Sequence, residues 1–386
     1  MSDADLPCIL VVDDQDASQH ALGLVERAAS LARHPSEVEA DDLSWADLVL
    51  MDFIIQDWND RDDLEQVSLR PPNGLALAAV LREQADRQTG DSDDYTAFAI
   101  HTGHIGEISR RLHTTNMAPH VVARLNNLEW VFDKSDFSRF ERSTELAAAV
   151  RKISSVWGEI KRGGIETAIV RLLGLTAESP WHSRALDDVV LCQVPLSESS
   201  AGSNGLLFLR WMLHSVLPYP TFLWGEQWVA ARFRITPSAL RTVLDGESDL
   251  ASDLAACKYG GILRSFLGSR WWRAGVEQYA WGIRAEGARD SVAFHEELEK
   301  RAGTELERLD LSSPVVCIGR DLTPSDELSC LEDAVRMVPD LWPAYAGTAY
   351  ATVSSVREDP DFAAVVHPLD RDRVEGDASQ DGDSEK

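Results

Sequence analysis

The feature that most constrains this chain is the rhythm of residues 8–134. A short apolar run, "CILVV" (8–12), gives way to "ASQHALGLVERAASLARH" (17–34), where Ala21, Leu24, Val25, Ala28 and Leu31 recur at helical spacing. "ADLVLMDF" (46–53) reads as a strand again. A polar loop, the helix "LALAAVLREQAD" (75–86), the strand "YTAFAIHTG" (95–103) and the strand "LEWVFDK" (128–134) follow. Strands that alternate with helices predict a parallel sheet covered on both faces, because parallel neighbours need crossover connections. In such α/β sheets ligands sit at the carboxyl ends of the strands.

The predicted strand ends carry Asp13 and Asp14, then Asp52, then Thr102, then Lys134. Carboxylates from the first and third strand ends suit Mg²⁺, which takes carboxylate, water and phosphate oxygens. Asp52 then becomes a candidate nucleophile, since a carboxylate accepts a phosphoryl group when a metal and a cation neutralise the charge on its oxygens. Lys134 would supply that cation, and the Thr102 hydroxyl a hydrogen bond to the transferred group.

With these residues in order, the chain resembles the receiver domain of two-component response regulators over roughly residues 7–145. "LVVDDQ" is similar to the family's acidic pair, "DLVLMDF" to its phosphoacceptor strand, "NGLALAAVLR" to its third helix, "IHTG" to its switch hydroxyl and "VFDKSD" to its lysine. The resemblance implies a flavodoxin-like, doubly wound sheet of five parallel strands in order 2-1-3-4-5, the topology for which a receiver is a standard example. It also implies phosphorylation of Asp52 by a histidine kinase or phosphotransfer protein. Mg²⁺ would be held by Asp13, Asp14, Asp52 and the backbone carbonyl of Ile54. The chain departs from the family pattern in four places. Asp52 and Gly74 are about 22 positions apart, across an acidic insertion containing Asp57, Asp60, Asp62 and Asp63. Ser135 follows Lys134 where the family has a proline that takes a cis bond. Val131 stands at the aromatic switch position, between Trp130 and Phe132. His101 and His104 flank Thr102 and are read as incidental.

Composition narrows the function classes. A formal charge of −27 over 386 residues argues against coating nucleic acid or an anionic membrane through the net field. No run approaches the ~18 apolar residues of a membrane span, and "MSDADLP" lacks a basic secretory n-region, so a cytoplasmic protein without membrane contact is expected. Five scattered cysteines, with no C-x-x-C pair, predict buried reduced thiols.

Beyond the receiver (1–145), residues 146–164 read as a linker helix. In "STELAAAVRKISSVWGEI", Leu146, Val150, Ile153, Trp157 and Ile160 share one face after cap-forming Ser143 and Thr144, and Gly163 and Gly164 break it. Residues 165–369 read as a mostly α-helical output domain with one strand, "PVVCIG" (314–319), and 370–386 as a disordered acidic tail. Nine of the 12 tryptophans lie from 157 onward. They are core anchors or, at Trp271 and Trp272 beside Arg270 and Arg273, a partner surface.

"EQWVAARFRITPSALRTVLDGES" (226–248) has the pattern of a helix-turn-helix. Ile235 falls at the turn, Thr236 and Pro237 open the second helix, and Arg232, Arg234 and Arg241 are candidate phosphate contacts. The turn glycine of that motif would fall at Arg234. No nucleophile–base set or phosphate loop appears in this half. The expected function is a response regulator whose phosphorylation changes how the helical domain contacts an unidentified protein or self-associates. Two alternatives are a transcription regulator binding DNA through 227–246 and an effector or adaptor in stress or phage-defence signalling.

Overall fold

A computed structural model describes residues 6–58, 71–89, 92–110, 119–196, 204–287 and 290–375. The chain forms two compact units that interleave along the sequence: residues 1–175, 194–214 and 260–267 in the first, and 176–193, 215–259 and 268–386 in the second.

The first unit runs β1 (Cys8–Val12), α1 (Ala17–Leu22), β2 (Ala29–Arg33), α2 (Ala40–Trp45), β3 (Leu48–Asp52), α3 (Gly74–Thr89), β4 (Ala97–Thr102), α4 (Ile105–Arg110), α5 (Pro119–Leu125), β5 (Trp130–Asp133) and α6 (Arg139–Ala168). Its five strands form one parallel sheet in the order β2-β1-β3-β4-β5. Every residue of β1, β3 and β4 is buried. Alternate residues, among them Leu10, Val12, Val49, Met51, Phe98, Ile100 and Val131, share one core cluster. Ile9, Val11, Leu48, Leu50 and Phe132 point the other way and are buried as well. Both faces are therefore covered, as near-continuous apolar strands require. The register sets Asp52 beside His101 and Thr102 beside Asp133, which brings the strand ends to a common level.

Two local readings need correction. The helical pattern of 17–34 ends at Leu22, and Ala29–Arg33, including Leu31, is β2. Val25 is 58% exposed, so the 3.6-residue spacing there is not a buried face. Pairing with β1 overrides the helix propensity of Ala and Leu. Ser143 and Thr144 lie inside α6 rather than at its start, with both hydroxyls donating to the Phe140 carbonyl. The apolar face of α6 is as expected, Leu146, Val150, Ile153, Trp157 and Ile160 all being buried. Its break is also in place, since Gly164 has φ 65° inside the helical run. The helix Gly205–Trp211 packs on α6 so closely that a Cβ on Gly205 would lie 2.4 Å from Ile153 Cγ2. Arg210 from this helix pairs at 2.6 Å with Glu129, a fully buried carboxylate that also accepts the Phe98 N–H.

The second unit contains more sheet than its sequence suggests. A four-stranded sheet of β8 (Pro314–Ile318), β9 (Pro324–Cys330), β10 (Ala334–Met337) and β11 (Ala349–Thr352) has the order β10-β11-β8-β9, and a two-residue ladder joins β6 (Leu223–Trp224) to β7 (Trp271–Trp272). β9 reads "PSDELSC", too polar and too exposed to carry a strand pattern. Trp271 and Trp272 are 1% and 2% exposed. Trp272 packs against Trp181, Phe222 and Tyr259, so these tryptophans anchor the core and form no partner surface. The expected tail is ordered in its first residues: Asp370 is buried, accepting the Arg336 amide and guanidinium, and a short helix spans Arg371–Glu375. None of the five cysteines forms a disulfide.

Candidate functional site

Asp13 follows β1 directly and is 3% exposed. Its Oδ1 accepts the N–H groups of Gln15 (2.9 Å) and Asp16 (2.8 Å), a local turn that fixes the carboxylate and leads into α1. Asp52 ends β3. Its Oδ1 accepts the Phe53 N–H at 2.7 Å. The remaining oxygens face one cation: Lys134 Nζ lies 3.0 Å from Asp13 Oδ2 and 3.1 Å from Asp52 Oδ2. Lys134 is itself placed by the sheet, because its N–H continues the β4–β5 ladder to the Thr102 carbonyl.

Asp14, partly exposed, draws in the segment after β3, its Oδ2 accepting from the amides of Gln56 (2.5 Å) and Asp57 (2.6 Å). Ile54 lies in that segment, with its side chain against the core. Asp57 accepts from the Gln15 side chain at 3.0 Å. The other acidic residues of the insertion, Asp60, Asp62 and Asp63, lie outside the described residues. Gly74 closes the back of the site. A Cβ there would lie 1.9 Å from the Asp52 carbonyl, so only glycine lets α3 start this close to β3. Asn73, whose Oδ1 accepts from Ala76 N, caps that start.

One carboxylate oxygen from each of Asp13, Asp14 and Asp52 falls within 4.8 Å of the others. Three hard oxygen donors at this spacing fit Mg²⁺ better than a softer ion. The electrostatics are set by burial against pairing. Burial pushes the Asp13 carboxyl upward, but the amides of Asp16 and Gln15 and the Lys134 ammonium outweigh it, and the group ends below the usual range. For Asp52, burial prevails over Lys134, and with Asp13 close by its pKa is raised. Burial alone would lower Lys134, yet its two carboxylate partners hold it above the ordinary lysine value, charged.

Thr102 is buried at the end of β4, and its Oγ1 accepts the His104 N–H at 3.0 Å. The hydroxyl proton is therefore directed at no recorded acceptor among the described residues. Val131 is fully buried in the sheet core. Its neighbours Trp130 and Phe132 pack on Phe266. His104 is exposed and 3.6 Å from Glu107. His101 is 1% exposed and 3.7 Å from Asp13 Oδ2, and sequence reasoning passed over His20, which reaches the same oxygen at 3.8 Å from α1.

In the second unit, residues 226–244 form two helices joined by a short turn. The helix Glu226–Phe233 ends at Arg234 in the left-handed region (φ 58°), where the motif's glycine would fall. Thr236 Oγ1 then caps the helix Pro237–Leu244 through Ala239 N. Two of its arginines are engaged within the unit: Arg241 pairs with Glu226 at 2.5 Å and Arg234 donates to the Ser312 carbonyl, while Arg232 is half-buried.

No family model, curated protein or solved structure matches the chain. Among the described residues no helix is long and apolar enough to cross a membrane.

Proposed function

We propose that the first unit is a flavodoxin-like phosphoacceptor domain of the receiver type, in which Asp52 takes a phosphoryl group from a histidine kinase or phosphotransfer protein. The observation that carries this reading is Lys134 Nζ held 3.0 and 3.1 Å from two of three clustered carboxylates at the carboxyl end of a parallel sheet. Asp13, Asp14 and Asp52, with the Ile54 carbonyl, would hold Mg²⁺, which when bound neutralises phosphoryl oxygens. In the transfer, the N–P bond of a phosphohistidine breaks as an O–P bond to Asp52 forms, and the imidazole leaves with the electron pair. Lys134 keeps Asp52 compatible with an incoming anion, and Thr102 donates its proton to a phosphoryl oxygen afterwards.

The output in this reading is a changed contact between the second unit and a protein partner, or self-association. Binding of DNA through residues 227–246 is the second reading, favoured by the turn at Arg234 and the Thr236 cap. The test of the first is direct. With Mg²⁺ and a small phosphodonor such as acetyl phosphate, the intact protein should gain one phosphoryl group mapped by mass spectrometry to Asp52, and Asp52→Asn should gain none. Labelling at another residue, or labelling of Asp52→Asn equal to wild type, would refute it.

A further inference from the structure

Around Asp13 the structure brings together two imidazoles and a carboxylate. One ligand atom from each of Asp13, His20 and His101 lies within 4.8 Å of the others. His20 Nε2 and His101 Nε2 are 3.8 and 3.7 Å from Asp13 Oδ2, and the two rings meet edge to face with centroids 4.5 Å apart. Neither ring nitrogen of His101 has a hydrogen-bond partner among the described residues, although the side chain is 1% exposed. Buried polar atoms are normally paired, and an unpaired one commonly marks a ligand position. A single buried imidazole is a weak sign, but here it is aimed at a buried carboxylate that a second imidazole also faces.

We propose that Asp13, His20 and His101 form a second metal position, for a late first-row divalent ion of which Zn²⁺ is the physiological choice. The donor chemistry separates it from the neighbouring oxygen-only cluster. Two nitrogens and one oxygen are a borderline set that prefers Zn²⁺ over Mg²⁺, and three protein ligands with an open fourth position are a common zinc arrangement. The spacing is close to what such an ion needs. Bonds of about 2.0–2.1 Å in a tetrahedron separate ligand atoms by about 3.3 Å, so the observed 3.7 and 3.8 Å require a closure of only ~0.4–0.5 Å. Lys134, shared between Asp13 and Asp52, keeps Asp52 as its partner when Asp13 turns to the ion. Because Asp13 belongs to both donor sets, Zn²⁺ at the histidines weakens Mg²⁺ at the carboxylates.

This site does not depend on phosphoryl transfer to Asp52, and its test is read by metal binding alone. The full chain is titrated with Zn²⁺ calorimetrically, and with Co²⁺ followed by its visible absorption. Wild type should bind one ion. His20→Ala, at a position 12% exposed, should weaken Zn²⁺ by roughly tenfold or more, and so should His101→Leu, the folding of both variants being checked by near-ultraviolet circular dichroism. Asp14→Asn, which leaves the pairing of Lys134 with Asp52 intact, should leave Zn²⁺ binding within about twofold while weakening Mg²⁺. Binding unchanged in folded His20→Ala, or a Co²⁺–thiolate charge-transfer band showing cysteine ligation instead, would overturn the proposal. Either result leaves the Asp52 labelling experiment unaffected.

Discussion

Thr102 separates two roles that the same pocket would otherwise blur. Among the described residues its hydroxyl bonds neither Asp52 nor Lys134 and accepts only from His104 N, so removing it leaves Asp52 and Lys134 in place. Thr102→Ala should therefore label at Asp52 at a rate within about threefold of wild type, and lose most of the phosphorylation-dependent conformational change, read by hydrogen exchange over β4 and α4. Lys134→Ala should impair both, since it leaves Asp13 and Asp52 facing one another without a counter-charge. An undiminished response in Thr102→Ala would remove this residue as the switch. The five polar residues at the strand ends were legible because each ends an apolar run, and a polar residue at such a place needs a reason. His20, His101 and Glu129 were not. His20 lies in a helical pattern where a polar position reads as solvent-facing, and His101 and Glu129 lie in strand patterns where a single polar residue reads as an edge. The burial of His101 beside Asp13, and of Glu129 against Arg210, depends on neighbours far away in sequence.

Whole elements were read well where propensity and pairing agree, as in β1, β3, β4 and β5, and poorly where they conflict. β2 was hidden because Ala and Leu favour helix, while its strand exists through five parallel pairs with β1. β9, β10 and β11 were hidden because short polar or alanine-rich strands have no periodicity to detect. Arg234 shows the same competition in one turn. It occupies φ 58°, a left-handed conformation unfavourable to residues with a Cβ, and its guanidinium bonds the Ser312 carbonyl. Two substitutions separate these effects. Arg234→Ala and Arg234→Gly both lose the side-chain bond, but only glycine tolerates the turn without strain, so Arg234→Gly should be the more stable by about 1 kcal/mol. Chemical denaturation of both variants measures the difference, and equal midpoints would mean the turn is not held left-handed.

At the scale of the molecule, the interleaving of the two units was beyond pattern reading, because nothing local marks 194–214 and 260–267 as parts of the first unit. Charge, by contrast, is fully legible at this scale and bears on the output. A chain of net charge −27 repels a polyanion on average, so any DNA affinity must come from local cations left free to meet phosphate. Two helices joined by a turn occupy 226–244, and two of their cations have partners within the unit, Arg241 with Glu226 and Arg234 with Ser312, while Arg232 is half-buried. Redirecting Arg241 to phosphate would strand Glu226 beside the duplex, adding a like charge to the one already opposing contact. The protein, phosphorylated or not, should therefore give no sequence-specific footprint on duplex DNA at about 150 mM salt, and any residual binding should fall steeply as salt rises. A protected site that survives that salt and disappears in folded Arg241→Ala would show that the arginines leave their internal partners for DNA, and the transcription reading would then displace protein contact as the output.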